Sequence, residues 1–239
     1  MLPPSLSATT LPTCFSQAQV HAANSSFPHG SRAGPEGLRP QHLKDCISIS
    51  AGDASTSLLT SLTELVNHLT NGHLPTALQP FLYGAQLHGL HKNNGDLRPI
   101  AVGCTYRHLV AKVCLRPYIS RLRELLQPST VGVGIPRGSE AAVHATRSFM
   151  AQIQGVKVLL KLDVKNAFNS IRRDTVLQAA QTHLPEINPF IYGTAILQKH
   201  LFHGEFCLDS ATGVQQGDLL SPALFAFAIH ELHPRSNQT

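Results

Sequence analysis

Tryptophan is absent from the 239-residue chain, and aromatic residues make up only 6% of it. Its core therefore has to be built mainly from aliphatic side chains. No apolar run approaches the ~18 residues that a membrane-spanning helix needs, so no membrane association is expected. The five cysteines, Cys14, Cys46, Cys104, Cys114 and Cys207, are odd in number and widely spaced, and no C-x-x-C pair occurs. That argues against a disulfide scaffold and for a reduced, intracellular protein, with nucleus and cytoplasm not distinguished. The N-terminus lacks the basic n-region and compact apolar stretch of a secretory signal. Acidic side chains are missing from residues 1–33, and a Ser/Thr/Pro-rich stretch there is expected to be disordered over residues 1–25.

Hydrophobic residues amount to 42%, ordinary for a globular protein. The net charge is +5 and the pI about 9.1, a modest basic excess that favours acidic partners such as nucleic acid. The excess is concentrated. Between His91 and Leu126 lie Lys92, Arg98, Arg107, Lys112, Arg116, Arg121 and Arg123 against only Asp96 and Glu124, a surplus equal to the whole net charge. A solvated helix face and a phosphate-facing surface explain this cluster equally well.

Along the chain, Pro40 suits the first position of a helix, where a missing N–H costs nothing. The stretch "DASTSLLTSLTELVNHLTNG" predicts an amphipathic helix that Asp53 can cap. Leu58, Leu62, Leu65, Val66 and Leu69 form its stripe, and Asn71-Gly72 ends it. "FLYGAQLHGLHKNNGDLRPIAVG" reads as a hairpin around "NNGD" with a basic tip. "TYRHLVAKVCLRPYISRLRELL" is helical with an interruption at Pro117. "VKVLLKLDV" is nearly continuous in apolar residues and is expected to be a strand buried on both faces. A second short hairpin around His203-Gly204 and a final helix opened by Ser221-Pro222 follow. There is no internal repeat and no regular alternation of strand and helix, which favours an α+β fold.

Three strings carry chemistry. Asp163 follows the apolar run, where a strand could fix a carboxylate for a divalent cation; capping the "KNAF" turn is the competing use. In "GVQQGDLLSPALF", Gly217 permits close backbone approach, Gln216 offers both a donor and an acceptor, and Ser221-Pro222 launches a helix. In "KNNGDLRPIAV", Lys92 and Arg98 flank a hairpin tip and could clamp a triphosphate, or simply solubilise a turn. The H-x-x-H pairs His88/His91, His200/His203 and His230/His233 are expected by chance among 14 histidines. No cysteine pair at ligand spacing accompanies them.

In this order and at these spacings, the three strings resemble the reverse transcriptase domain of a non-LTR retrotransposon, over roughly Ser26 to Leu232. "FPHGSRAGPEGLRPQHLKD" is similar to the family's opening segment and "RPIAVGCTYRHLVAKV" to its fingers segment. "KLDVKNAFNSIRRD" and "GVQQGDLLSPALFAFAIHEL" are similar to two successive palm motifs, and these last two are highly specific.

The resemblance implies a right-hand polymerase fold: fingers over residues 26–155, a truncated palm over 156–232 and a polar tail over 233–239. It implies a template RNA, a DNA primer, deoxynucleoside triphosphates and Mg²⁺, or Mn²⁺, with no obligate protein partner. Asp163 would be a catalytic metal carboxylate with the Val164 carbonyl beside it. Phe168 would exclude a 2′-hydroxyl, Gln216 and Gly217 would line the nucleotide and template pocket, and Arg98 with Lys92 would hold the triphosphate. The family's F/Y-x-D-D box has no counterpart, since no adjacent Asp pair occurs anywhere in the chain. Polymerisation needs two cations held together, so the chain is expected to be inactive alone. Two further possibilities are a non-catalytic nucleic-acid-binding remnant and a relic without function.

Overall fold

A computed structural model describes residues 12–152, 155–196 and 200–232. Helices α1 (Gln17–Ser25), α2 (Pro40–Cys46), α3 (Gly52–Thr70) and the short α4 (Gln79–Tyr83) precede the hairpin β1 (Ala85–His91) and β2 (Leu97–Gly103). Then follow α5 (Thr105–Leu115), α6 (Ile119–Leu126), α7 (Gly138–Ala151), α8 (Ala167–Ser170), α9 (Arg173–His183) and α10 (Asn188–Ile196). The hairpin β3 (His200–His203) and β4 (Phe206–Asp209) and helix α11 (Ser221–Leu232) complete the described chain. The fold is α+β.

Local chemistry accounts for most of these elements. Pro40 occupies the first turn of α2. Helix α3 buries Leu62, Val66 and Leu69, each worth about 1.5–3 kcal/mol of transfer free energy. Leu58 and Leu65 pack partly buried beside them. Asp53 lies in the first turn, where it favours the helix dipole, while Ala51 takes the cap position. Pro117 converts the α5–α6 junction to a 3₁₀ turn, Arg116–Tyr118. At the β1–β2 tip the Lys92 N–H donates to the Asp96 carbonyl at 2.8 Å, and Gly95 supplies a left-handed φ of 87°.

The sheet order is β2-β1-β3-β4, with β1 and β3 parallel and both hairpins antiparallel. The second hairpin thus extends the sheet of the first. Helix α1 packs on α3 and α5, and α11 packs on α9 and α6. One apolar cluster runs from Phe15 to Ala228 and joins both halves of the chain.

Two expectations are corrected. The disorder expected for residues 1–25 does not extend over residues 12–25, which form α1 and its lead-in; residues 1–11 lie outside the described residues. Ser16 and Gln19 make a reciprocal capping box, and Val20 and Ala23 are buried. Asn67 of α3 also accepts from the Phe15 N–H at 2.7 Å and donates to its carbonyl at 3.1 Å.

The second correction concerns residues 156–164, expected to form a buried strand. They form neither strand nor helix, and Val156 (99%), Val158, Leu159, Leu160, Leu162 (79%) and Val164 are exposed. A strand exists only through a ladder with a neighbour. Among the described residues no strand pairs with this segment. The expected tail at 233–239 lies outside the described residues.

Candidate functional site

The turn after Asp163 is set by Asn166, which adopts a left-handed φ of 53°, a conformation Asn tolerates better than most residues. Its carbonyl accepts from the N–H groups of Asn169 and Ser170, forming the single turn of α8. That turn delivers Phe168, whose ring stacks on Phe225 of α11 with centroids 4.7 Å apart and planes at 21°. The Phe168 carbonyl accepts from the Val214 N–H at 2.8 Å, joining the "KNAF" turn to the loop that carries Gln216.

That loop, residues 213–218, is held from four sides. Gly213 has a φ of 70°, and a β-carbon there would lie 2.4 Å from the Asn169 backbone. The Gln216 carbonyl accepts from the Ala101 N–H of β2 at 2.8 Å. Gly217 has a φ of 115°, and a β-carbon on it would meet the Ala101 carbonyl at 2.6 Å. Arg173 of α9 donates to the Gly213 carbonyl at 3.0 Å and to the Ser210 carbonyl at 2.6 Å.

The fourth side is Arg107 of α5, 1% exposed. Its Nη2 lies 2.8 Å from Asp218 Oδ2 and donates to Gln215 Oε1 at 2.7 Å; Nη1 donates to the Tyr83 carbonyl at 2.7 Å. The guanidinium lies so close to Gly103 that a β-carbon there would fall 2.4 Å from it. Asp218 Oδ1 also accepts from the Leu220 N–H at 2.8 Å, just before α11 begins.

Arg107 is therefore not part of a phosphate-facing surface. Of the seven cations between His91 and Leu126, Lys92, Arg98, Arg116 and Arg121 are exposed. Sequence reasoning missed the internal role of Arg107, although a signal existed. Arg107 sits one and two turns before Val110 and Cys114, on the buried stripe of α5.

Burial shapes the ionisable groups around this junction. It pushes the Tyr83 hydroxyl up to about 12, although Arg107 pulls the other way. It raises the thiols of Cys104 to about 11 and Cys114 to about 12, so neither is a nucleophile near neutral pH. His108 is lowered to about 4, first by burial and then by Arg107, with Asp218 opposing.

Between the β1–β2 tip, the Asp163–Phe168 turn and the Gln216 loop lies an open cavity of about 690 Å³. Lys92, Arg98, Asp163, Val164, Phe168 and Gln216 line it. A neighbouring cavity of about 610 Å³ shares Lys92, Arg98 and Asp163. Both sizes fall within the range of small-molecule sites. Six of the seven residues singled out from the sequence thus meet at one cavity. The seventh, Gly217, acts behind it, where its missing side chain lets the loop dock on β2.

The donor set does not fit a pair of divalent cations. Among the described residues no cluster of three or more His, Cys, Asp or Glu side chains could hold a metal ion. Asp163 shares its cavity with Lys92, Arg98 and one further carboxylate, Asp96, which the hairpin turn engages through Asn94. A two-cation centre needs oxygen ligands for both ions about 3.5–4 Å apart.

The sequence matches a known family. The family model for reverse transcriptase (RNA-dependent DNA polymerase) matches residues 90–238, more than half of the chain, and the chain belongs to that family. The chain is also similar to the retrotransposable element SLACS 132 kDa protein of Trypanosoma brucei gambiense. The two are 26% identical over 192 residues, covering 77% of this chain and 16% of that protein. The chain therefore spans less than a fifth of that relative's length. Reverse transcriptases use divalent metals, a nucleic-acid template and deoxynucleoside triphosphates. No described helix is long and apolar enough to cross a membrane.

Proposed function

We propose that these residues are the nucleotide-binding part of a retrotransposon reverse transcriptase. Residues 26–155 act as fingers and residues 156–232 as part of the palm. The observation that supports this reading is the cavity of about 690 Å³, where Lys92, Arg98, Asp163, Phe168 and Gln216 converge from three separate stretches of chain.

Lys92 and Arg98 hold the triphosphate, Arg98 by its planar fork and Lys92 as a point charge. Phe168, backed by Phe225, lies under the sugar and leaves no room for a 2′-hydroxyl. Gln216 faces the base, and the flat backbone at Gly217 keeps the loop against β2. Asp163 and the Val164 carbonyl offer oxygen ligands toward one Mg²⁺ or Mn²⁺, the remainder coming from the nucleotide's phosphates. The RNA template and DNA primer approach across the same face. The relative's name is the support for an origin in a retrotransposable element. A reduced intracellular setting is in keeping with five free cysteines.

Because the chain holds no adjacent Asp pair, it binds nucleotide but does not extend a primer by itself. Primer extension on an RNA template, with Mg²⁺ or Mn²⁺, tests this. No product is expected; robust extension that disappears on Asp163→Ala contradicts it. A second reading, sequence-tolerant nucleic-acid binding without catalysis, rests on the exposed Lys92, Arg98, Arg116 and Arg121.

A further inference from the structure

Three cations from two helices meet around Ser26 and Phe27. Lys112 and Arg116 stand one turn apart at the end of α5, on one face of the helix. Lys44 reaches the same place from α2. Its ammonium donates to the Phe27 carbonyl at 2.6 Å, while that of Lys112 donates to the adjoining Ser26 carbonyl and hydroxyl, both at 2.8 Å. Lys112 also lies 4.5 Å from the centre of the Phe27 ring. Beside Lys112 opens a pocket of about 300 Å³, lined among others by Ser26, Leu115, Arg116, Ile119 and Leu219. It shares no lining residue with the two cavities around Asp163. We propose that this patch holds a backbone phosphate of a nucleic-acid strand, gripped by Lys44, Lys112 and Arg116. The site rests on the nucleic-acid-binding reading above and is independent of the nucleotide cavity.

Charge carries the argument. Each lysine sits in the last turn of its helix, where the helix dipole favours a cation. Dipoles do not explain why two helices bring their cations together, because like charges repel, and a like-charged pair one turn apart destabilises a helix. The repulsion is felt at Lys112, which is held below its ordinary pKa first by burial and then by Lys44 and Arg116. Among the described residues none of the three forms an ion pair. A bound anion relieves this repulsion.

The patch is also prepared for its ligand. Both ammonium groups are already fixed on neighbouring carbonyls, so little side-chain freedom is lost on binding. Each keeps at least one N–H for a phosphate oxygen, and Arg116 adds a planar fork. Leu115, Ile119 and Leu219 give the pocket an apolar wall against which a sugar can lie. The polyanion that the family handles is nucleic acid, and a net charge of +5 favours it over the chain's own acidic segments. A backbone phosphate carries no sequence information, so the contact positions the strand and does not read it.

Fluorescence anisotropy of labelled single-stranded RNA, titrated with the full 239-residue chain at several salt concentrations, tests the site. Lys112→Met keeps the stem over Phe27 and removes the charge; Arg116→Ala acts at an exposed position and leaves the fold intact. Each should weaken binding about tenfold. Each should also lower the salt slope by about 0.7, the share of one phosphate on a single strand. Oligo-U and oligo-A should lose equally. Lys112→Arg should recover most of the affinity, and Arg147→Ala, on the exposed face of α7, should leave the slope unchanged. Inorganic phosphate alone should not bind in isothermal titration. If the native chain binds RNA and both variants behave like Arg147→Ala, the site is overturned and the nucleic-acid reading stands. No RNA binding by the native chain overturns both. Phosphate binding that Lys112→Met abolishes, with RNA affinity unmoved, assigns the pocket to the free anion and overturns the site as well.

Discussion

Arg107 and Asp218 lie 2.8 Å apart, 1% and 11% exposed, and tie helix α5 to the loop that carries Gln216. The Arg107 guanidinium also donates to Gln215 and to the Tyr83 carbonyl. A buried, hydrogen-bonded pair is most costly when one partner alone is removed, because the other is left charged and unpaired. Arg107→Ala should therefore destabilise the fold by about 3–5 kcal/mol. Arg116→Ala, at an exposed position, should stay within about 0.5 kcal/mol. Urea unfolding of the three proteins measures both differences. Equal midpoints for the two variants would remove Arg107 from its structural role.

The docking of the 213–218 loop makes a second prediction. Gly217→Ala must place its β-carbon against the Ala101 carbonyl at a φ of 115°, whereas Gly204→Ala, at a φ of 58°, meets open space. Gly204→Ala should cost about 1 kcal/mol from the left-handed backbone alone. Gly217→Ala should cost more, on the order of 1–3 kcal/mol for the strained backbone with the clash in addition. Denaturant midpoints that rank the two in the opposite order contradict the docked geometry.

His108 supplies a pH dependence. Its folded value of about 4 lies below the ordinary 6.5, first because of burial and then because of Arg107. The unfolded chain therefore takes up the proton before the folded one does. The stability linked to this group is complete above pH 6.5 and is lost as the pH falls toward 4. The loss amounts to at most about 3 kcal/mol at 1.36 kcal/mol per pH unit. Thermal unfolding between pH 7 and 4 should show a steeper decline for the native chain than for His108→Leu. Parallel declines would mean that another group sets the slope.

Much of the fold was legible because its signals are local. The "NNGD" turn, the leucine stripe of α3, Pro40 and the break at Pro117 all act within a few residues of chain. The strand expected at 156–164 failed because apolar content marks what could pair, while a strand also needs a neighbour that no local pattern supplies. Helix α1 was overlooked for the opposite reason: composition outweighed the Ser16-x-x-Gln19 capping box and the spacing of Val20, Ala23 and Phe27. At the site, motif spacing indicated which side chains to collect. That Arg107 works from inside the fold depends on Asp218 and Gln215, more than a hundred residues away in sequence.

The stack of Phe168 on Phe225 bears on sugar discrimination. If Phe225 holds the Phe168 ring in place, Phe225→Leu should narrow the preference for a deoxynucleotide over a ribonucleotide about as much as Phe168→Val does. The ratio of the two dissociation constants, determined for each variant by fluorescence titration, reports this. An unchanged ratio in both would leave Phe168 as a packing residue of the "KNAF" turn.

The central claim is that the cavity between the hairpin tip and the Asp163–Phe168 turn takes a nucleoside triphosphate. Isothermal titration of the full chain with a deoxynucleoside triphosphate and Mg²⁺ tests it most directly, using Lys92→Ala, Arg98→Ala and, as a control outside the cavity, Arg121→Ala. The account predicts binding that weakens about tenfold or more in each of the first two variants, as loss of a charge-assisted phosphate contact implies. Binding should be unchanged in the third. Equal affinity in all four proteins, or no binding by the native chain, would contradict it.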